Sequence, residues 1–197
     1  IIKKAWEGHH TPAIWKASTI ALLHKKGDPT LLKNWRPIAL ASCIYKLWTA
    51  VVTRLLTDDT EFRKVLHGSQ EGFRRKRNTL RQLATMQFTI QDAHLSGKSL
   101  HVMYVDFENA FGSPDHGRLL EALEHQGYPR DALEVVRDLY PGNDMSKSPM
   151  MVSVRTAHGE TESFPIRRGT IQGDCLSPLL FNIFLNPLLC WLNTGED

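Results

Sequence analysis

The side chains best suited to chemistry fall in four short stretches. Lys25 and Lys26 precede a Gly27-Asp28-Pro29 turn, and Arg36 follows on the returning side. Lysine brings a point charge and arginine a planar fork, a combination that suits phosphate, although the tip of a hairpin also carries charge simply for solvation. Arg74, Arg75, Lys76 and Arg77 are consecutive. They cannot all face one partner, so some are solvated charge and the others suit a nucleic-acid backbone. Asp106 ends the apolar run Val102-Met103-Tyr104-Val105. A carboxylate at the tip of a buried strand needs a counter-charge, and a divalent metal supplies one if the tip opens into a cleft. An aspartate there also serves as a turn former or helix N-cap. Arg168 to Pro178 is a polar loop bracketed by Gly169 and Gly173.

These groups need elements to hold them. Trp15 to His24 and Asn34 to Leu40 read as the two arms of a hairpin, with Pro37 favouring an edge position. Ile44, Leu47, Val51 and Leu55 recur at helical spacing over Cys43 to about Leu66. Leu83, Met86 and Ile90 do the same over Thr79 to Leu95, and Phe73 beside the basic run is read as core, with stacking on a base as the alternative. Val102 to Val105 is rich in β-formers and too short for a helix, so it is expected to be a buried strand. Helices follow over Asp115 to Gln126, stopped by Gly127, and over Arg130 to Tyr140. Met151 to Thr156 and Glu162 to Arg167 form a second hairpin around Gly159. Ser177 and Pro178 are expected to cap an apolar helix running to about Trp191.

Composition bounds the class. The chain has 197 residues, 42% apolar and 23% charged, as in a globular protein with a sizeable core. Residues 1–100 carry 17 Lys and Arg against 7 Asp and Glu, and residues 101–197 carry 7 against 14. A basic half joined to an acidic half suits a polyanion grip beside a cation site. Cys43, Cys175 and Cys190 form no CxxC pair, which argues against a zinc site or a disulfide framework. No signal peptide or membrane span is expected, so an intracellular location, nuclear or cytoplasmic, follows.

Four blocks stand in one order: KKGDPT with NWRPIAL, then QEGFRRKRNT, then VDFENAF, then GTIQGDCLSPLLFNIFL. Together they resemble the reverse transcriptases of non-LTR retrotransposons, which are related to those of group II introns. The resemblance spans about Trp15 to Leu192. It implies an α+β right-hand polymerase fold with a mainly antiparallel sheet. Residues 1–100 would be fingers and the first palm helices; residues 101–197 would be partial palm, with a fingers segment inserted at about 128–168. It implies RNA-directed DNA synthesis from deoxynucleoside triphosphates on an RNA template with a DNA primer. Two magnesium ions, with manganese as a substitute, would serve the chemistry. Asp106 would be the catalytic metal-binding carboxylate, and the Phe107 carbonyl would join the metal shell. Lys25 or Lys26, with Arg36, would neutralise the triphosphate. Phe111 would be the gate beside the sugar, excluding a 2′-hydroxyl by clash. Gln172 and Gly173 would support the nucleotide and the templating base. Arg74, Arg75 and Arg77 would hold nucleic acid.

The sequence departs from that pattern in places. The thumb and the second carboxylate hairpin of the family are absent, and Glu196 and Asp197 lack strand patterning to replace it. The fragment is therefore expected to be inactive alone, and to be either cut from a larger polyprotein or a degenerate element copy. Gly112 stands where the family usually has Asp, Asn109 replaces a frequent Lys, and Pro114 replaces an apolar residue. Gly112 and Pro114 are expected to loosen the turn that positions Phe111. The alternative is a non-enzymatic nucleic-acid-binding or intron-splicing-helper module. A metal-dependent nuclease is a third reading, with Asp115 or Asp174 as its second carboxylate.

Overall fold

A computed structural model describes residues 1–194; Glu196 and Asp197 lie outside them. The hairpin of β1 (Ala17–His24) and β2 (Trp35–Ala41) pairs antiparallel, with Ala21 opposite Ile38 and His24 opposite Trp35. β1 also pairs in parallel with β3 (Met151–Thr156), joining the two halves of the chain in one sheet. β3 carries β4 (Gly159–Glu160) and β5 (Phe164–Pro165), both antiparallel to it. The register steps by one residue between those two pairings, so the return arm takes up one extra residue within 161–163. β2 is an edge strand. Pro37 and Ala39 lie two apart, so their nitrogens face the same way, away from β1. The lost N–H of Pro37 therefore breaks no ladder bond, and the Ala39 N–H is free to pair outside the sheet.

Among the described residues six α-helices complete the fold: α1 (Ile2–Glu7), α2 (Cys43–Phe62), α3 (Thr79–Leu95), α4 (His116–His125), α5 (Arg130–Leu139) and α6 (Leu176–Leu192). The Ser42, Asn78 and Asp115 side chains accept from the first-turn N–H groups of Tyr45, Arg81 and Arg118, capping α2, α3 and α4. Gly127, at φ +71°, ends α4 as expected. The buried face of α2 is Tyr45, Trp48, Val52 and Leu56, one position on from the stripe expected, and Leu47 and Leu55 are exposed. Both rows have helical spacing; the pair of large aromatics determines which one turns inward. With Leu119, Leu123, Val135, Val136, Leu176, Leu180 and Ile183 they form the core.

α6 starts two residues before the expected proline. Ser177 is not its cap; its hydroxyl donates back to the Ile171 carbonyl at 2.7 Å. Within α6, Pro187 leaves the Ile183 carbonyl without its helical donor, and the Gln126 side chain donates to that oxygen at 3.0 Å. Asn182 and Asn186, one turn apart, aim inward and bind the 65–72 segment: Asn182 donates to the Gly72 carbonyl and Asn186 accepts from the His67 N–H.

Two expectations fail on one side of the molecule. Val102 to Val105 forms no strand and is exposed, because among the described residues no strand lies beside it to complete a ladder. α3 forms as expected but buries no residue; Leu83 and Ile90 face outward. No helix among the described residues is long and apolar enough to cross a membrane.

Candidate active site

One cleft of about 610 Å³ lies between the β1–β2 hairpin and the turn after Asp106. Lys25, Lys33, Arg36 and Pro37 line one wall, Asp106 to Phe111 line the other, and Gln172 closes the back. The hairpin tip is a built loop. Asp28 accepts from the Thr30 N–H and hydroxyl, Asn34 donates to the Asp28 carbonyl, and the Trp35 indole donates to the Pro29 carbonyl. Lys25 extends the ladder, its N–H donating to the Asn34 carbonyl at 2.8 Å. Among the described residues, Lys25, Lys33 and Arg36 have no carboxylate partner within 4 Å. Unpaired cations facing a cleft attract an anion. Lys25 lines the cleft and Lys26 does not; Lys33 lines it too, a residue the sequence reading passed over.

The back wall is tied to the hairpin. The Ala39 N–H donates to the Gln172 carbonyl at 2.9 Å. Gly173, at φ +108°, brings the loop so close to β2 that an added Cβ would lie 3.1 Å from the Ala39 carbonyl oxygen. Below the loop, Asp174 is buried and accepts from the Thr49 hydroxyl at 2.6 Å. Burial pushes its carboxyl above the usual range, against the opposing pull of the Thr49 hydroxyl and the Cys175 and Leu176 N–H groups. Burial likewise raises the neighbouring Tyr45 and Tyr140 hydroxyls.

Phe111 sits at the junction. Its ring meets Phe181 at 5.6 Å and Phe73 at 6.2 Å between centroids. Phe73 is 69% exposed and so is not core; it packs edge-on against Phe111 instead. Gly112 and Pro114 do not loosen the turn. The Thr170 N–H donates to the Phe111 carbonyl at 2.6 Å, the Gly169 N–H to the Pro114 carbonyl at 2.8 Å, and Arg168 Nε to the Ser113 carbonyl at 2.9 Å. His116 braces the same strap: its Nε2 donates to the Gly169 carbonyl at 2.8 Å and its Nδ1 accepts from the Gly142 N–H at 3.1 Å. Burial lowers the His116 pKa, so the neutral tautomer protonated on Nε2 satisfies both partners. No sequence signal pointed to His116.

Asp106 is exposed on the rim instead of buried at a strand tip, with Phe107 beside it. Asp106 and Glu108 are the carboxylates among the residues lining the cleft. Among the described residues no three His, Cys, Asp or Glu side chains come together as a metal-holding group. These residues do not make a complete divalent-metal shell. Asp115 caps α4 and Asp174 is buried against α2, so neither supplies a second carboxylate for a nuclease. Cys43, Cys175 and Cys190 are free thiols.

The basic run is largely engaged within the chain. Arg74 is half-buried and pairs with Glu61 at 2.7 Å, Arg77 pairs with Glu71, and Arg75 pairs with Asp58 at 2.5 Å while staying exposed. These pairs and the Asn182 and Asn186 contacts anchor the segment that carries Phe73.

An edge-paired cationic hairpin, a strapped aromatic turn and a glutamine loop thus surround one cleft. Residues 23–196 match the family model "Reverse transcriptase (RNA-dependent DNA polymerase)", and the chain belongs to that family. It is 32% identical over 186 residues to a retrovirus-related Pol polyprotein from the type-1 retrotransposable element R2 of Popillia japonica, covering 94% of this chain and 25% of the relative. It is 29% identical to the probable RNA-directed DNA polymerase from transposon BS of Drosophila melanogaster, covering 91% of this chain and 19% of the relative. The chain thus spans about a quarter or less of the length of these relatives. The fold is similar to that of apo telomerase from Candida tropicalis truncated from its C-terminal domain, with a TM-score of 0.56 at 13% identity, covering 94% of this chain and 41% of that one.

Proposed function

We propose that this chain is the nucleotide-gripping portion of a retroelement RNA-directed DNA polymerase. The observation that carries the reading is the single cleft lined by Lys25, Arg36, Asp106, Phe107, Phe111 and Gln172. In this reading Lys25 and Arg36 hold the triphosphate, which phosphoryl transfer needs for positioning and charge neutralisation. Phe111 meets the sugar, and Gln172 with Gly173 supports the base. Asp106 and the Phe107 carbonyl would contribute to a shell for magnesium, or manganese in its place. That donor set is incomplete, so no catalytic step is assigned to it. Residues 1–100 act as fingers and first palm helices, residues 101–197 as partial palm with a fingers segment at about 128–168. Template RNA and primer DNA run past the cleft, with Arg75 as the exposed arginine of the basic run.

Titrating the 197-residue chain with a deoxynucleoside triphosphate tests this. Binding in the micromolar to millimolar range that Lys25→Ala and Arg36→Ala each weaken is the expected result. Primer extension on an RNA template is expected to give no product, because Asp106 lacks partner carboxylates. Extension by the purified chain would refute that expectation; binding indifferent to both substitutions would refute the reading. The alternative is a non-enzymatic binding module, whose grip would rest on the unpaired Lys25, Lys33 and Arg36 of the cleft. In a longer chain that extends primers, Asp106→Ala should abolish extension and spare binding. A chain working only as a binding module would show no extension to lose.

A further inference from the structure

Asn109 and Gly112, two of the residues that depart from the family pattern, meet in space. Asn109 lies in the left-handed region at φ 52°, ψ 48°, where asparagine is better tolerated than most residues. Its carbonyl accepts from the Gly112 N–H at 2.9 Å, closing the single turn that carries Phe111. Gly112 is outside the left-handed region, so its backbone does not call for glycine. The space does. A Cβ at 112 would lie 2.7 Å from Asn109 Oδ1 and 2.8 Å from its Cγ. On the opposite side Gly169 presses on Gly112: a Cβ at 169 would lie 2.6 Å from the Gly112 Cα. The Asn109 amide is thus seated where a side chain at 112 would stand, and its backing is strapped.

Asn109 also lines two cavities. One is the cleft with the cations; the other, of about 310 Å³, lies on the far side of Phe111 against Ile20, Ile166 and Thr170. The wall they share is Pro37, Asn109, Phe111 and Gln172. Proline is rigid, and the Gln172 backbone is bonded to Ala39. The other side chains in that wall are the Phe111 ring, packed between Phe73 and Phe181, and the amides of Asn109 and Gln172.

We infer that Asn109 is a specificity-determining residue of the cleft, seated by the missing side chain at Gly112. The amide stands beside the Phe111 ring in the wall between the two cavities, and together they set the room left at the 2′ position of a sugar. This rests on the nucleotide reading of the cleft. A methyl group at 112 pushes that amide off its seat toward the cavities it lines, which lowers stability slightly and moves the amide away from the ring.

The test compares dCTP and CTP binding by calorimetry for the full chain, Asn109→Gly, Gly112→Ala and the double variant; glycine at 109 keeps the left-handed backbone unstrained. The wild-type chain is expected to prefer dCTP, and each single variant to lose about tenfold of that preference. The double variant is expected to be no worse than either single. Melting temperatures of the same four proteins check the seating without any nucleotide: Gly112→Ala should lower Tm in the wild-type background and leave it unchanged in the Asn109→Gly background. A wild type that binds dCTP with a preference unchanged in both singles, or that binds both nucleotides alike, overturns the inference and leaves the nucleotide reading standing. Equal Tm cost of Gly112→Ala in both backgrounds overturns the seating. A wild type that binds neither nucleotide overturns the nucleotide reading, and this inference with it.

Discussion

The two walls of the cleft are built to different standards. The hairpin wall rests on a five-stranded sheet and on α2, α4, α5 and α6, whose inner faces include Trp48, Leu119, Val136 and Leu180 at 0% exposure. The wall carrying Asp106 continues from α3, which buries nothing, through an extended apolar stretch exposed at every position from Val102 to Val105. The strands behind the hairpin are packed, while its tip, Lys25 to Lys33, projects exposed into the cleft. The other wall offers two rim carboxylates, Asp106 and Glu108, after a stretch that buries no residue. The packed and unpacked walls are therefore separable, and substitutions should divide along that line.

The largest expected contrast is in stability. Trp48→Ala should cost about 3–5 kcal/mol through the cavity it leaves. Leu83→Ala on α3 should change stability by no more than about 0.5 kcal/mol, because it removes no buried contact. Urea denaturation of both variants checks this, and a large loss from Leu83→Ala would erase the distinction between the two walls. Next is the brace under the turn that carries Phe111. His116→Ala leaves the Gly169 carbonyl and the Gly142 N–H unpaired at a cost of about 1–3 kcal/mol. Because burial depresses the His116 pKa below its unfolded value of 6.5, its contribution is present above that pH and lost as pH falls through the folded pKa. A stability profile from pH 8 to 5 should slope down in the wild type and more weakly in the variant.

Smaller effects refine the picture on the hairpin side. Lys25→Ala should weaken triphosphate binding about tenfold, or about 1.4 kcal/mol, and Lys26→Ala at most about twofold, since only Lys25 lines the cleft. Calorimetry on the two variants separates them. Least in magnitude is a pH effect at Asp174. Its carboxyl is held above the unfolded value of 3.8, so its stabilising contribution is complete below that pH and lost as pH rises through the folded pKa. Asp174→Asn retains an oxygen for the Thr49 hydroxyl and does not titrate. Its stability relative to the wild type should rise with pH, as melting curves at pH 4 and pH 8 would show.

Much of the packed region was legible in the residues. Pro37 marked an edge, Gly127 a helix end and the Gly159 turn a hairpin, because each is a local backbone constraint. Asn182 and Asn186 interrupt an apolar run one turn apart, a pattern that marks an inward polar seam, though their partners at Gly72 and His67 are set only by tertiary packing. The α2 face was misread by one position because two apolar rows overlap on that helix. Strand propensity at Val102 to Val105 was read correctly as composition and wrongly as structure: β-formers make a strand only when a neighbour offers a ladder. His116 and the Asn109–Gly112 contact had no local signal, since each depends on segments that meet only in the folded chain. Sequence could not choose between Lys25 and Lys26, because adjacent residues on a hairpin end have equal claims until the twist is known.

The bond from the Ala39 amide to the Gln172 carbonyl makes the loop, in mechanical effect, an added rung on the sheet's open border. A hairpin that leans inward on capturing an anion would drag that rung with it, so the phosphate end and the base end of a nucleotide would be felt through one lever. Proline at position 39 would cut the linkage while sparing the rungs to β1.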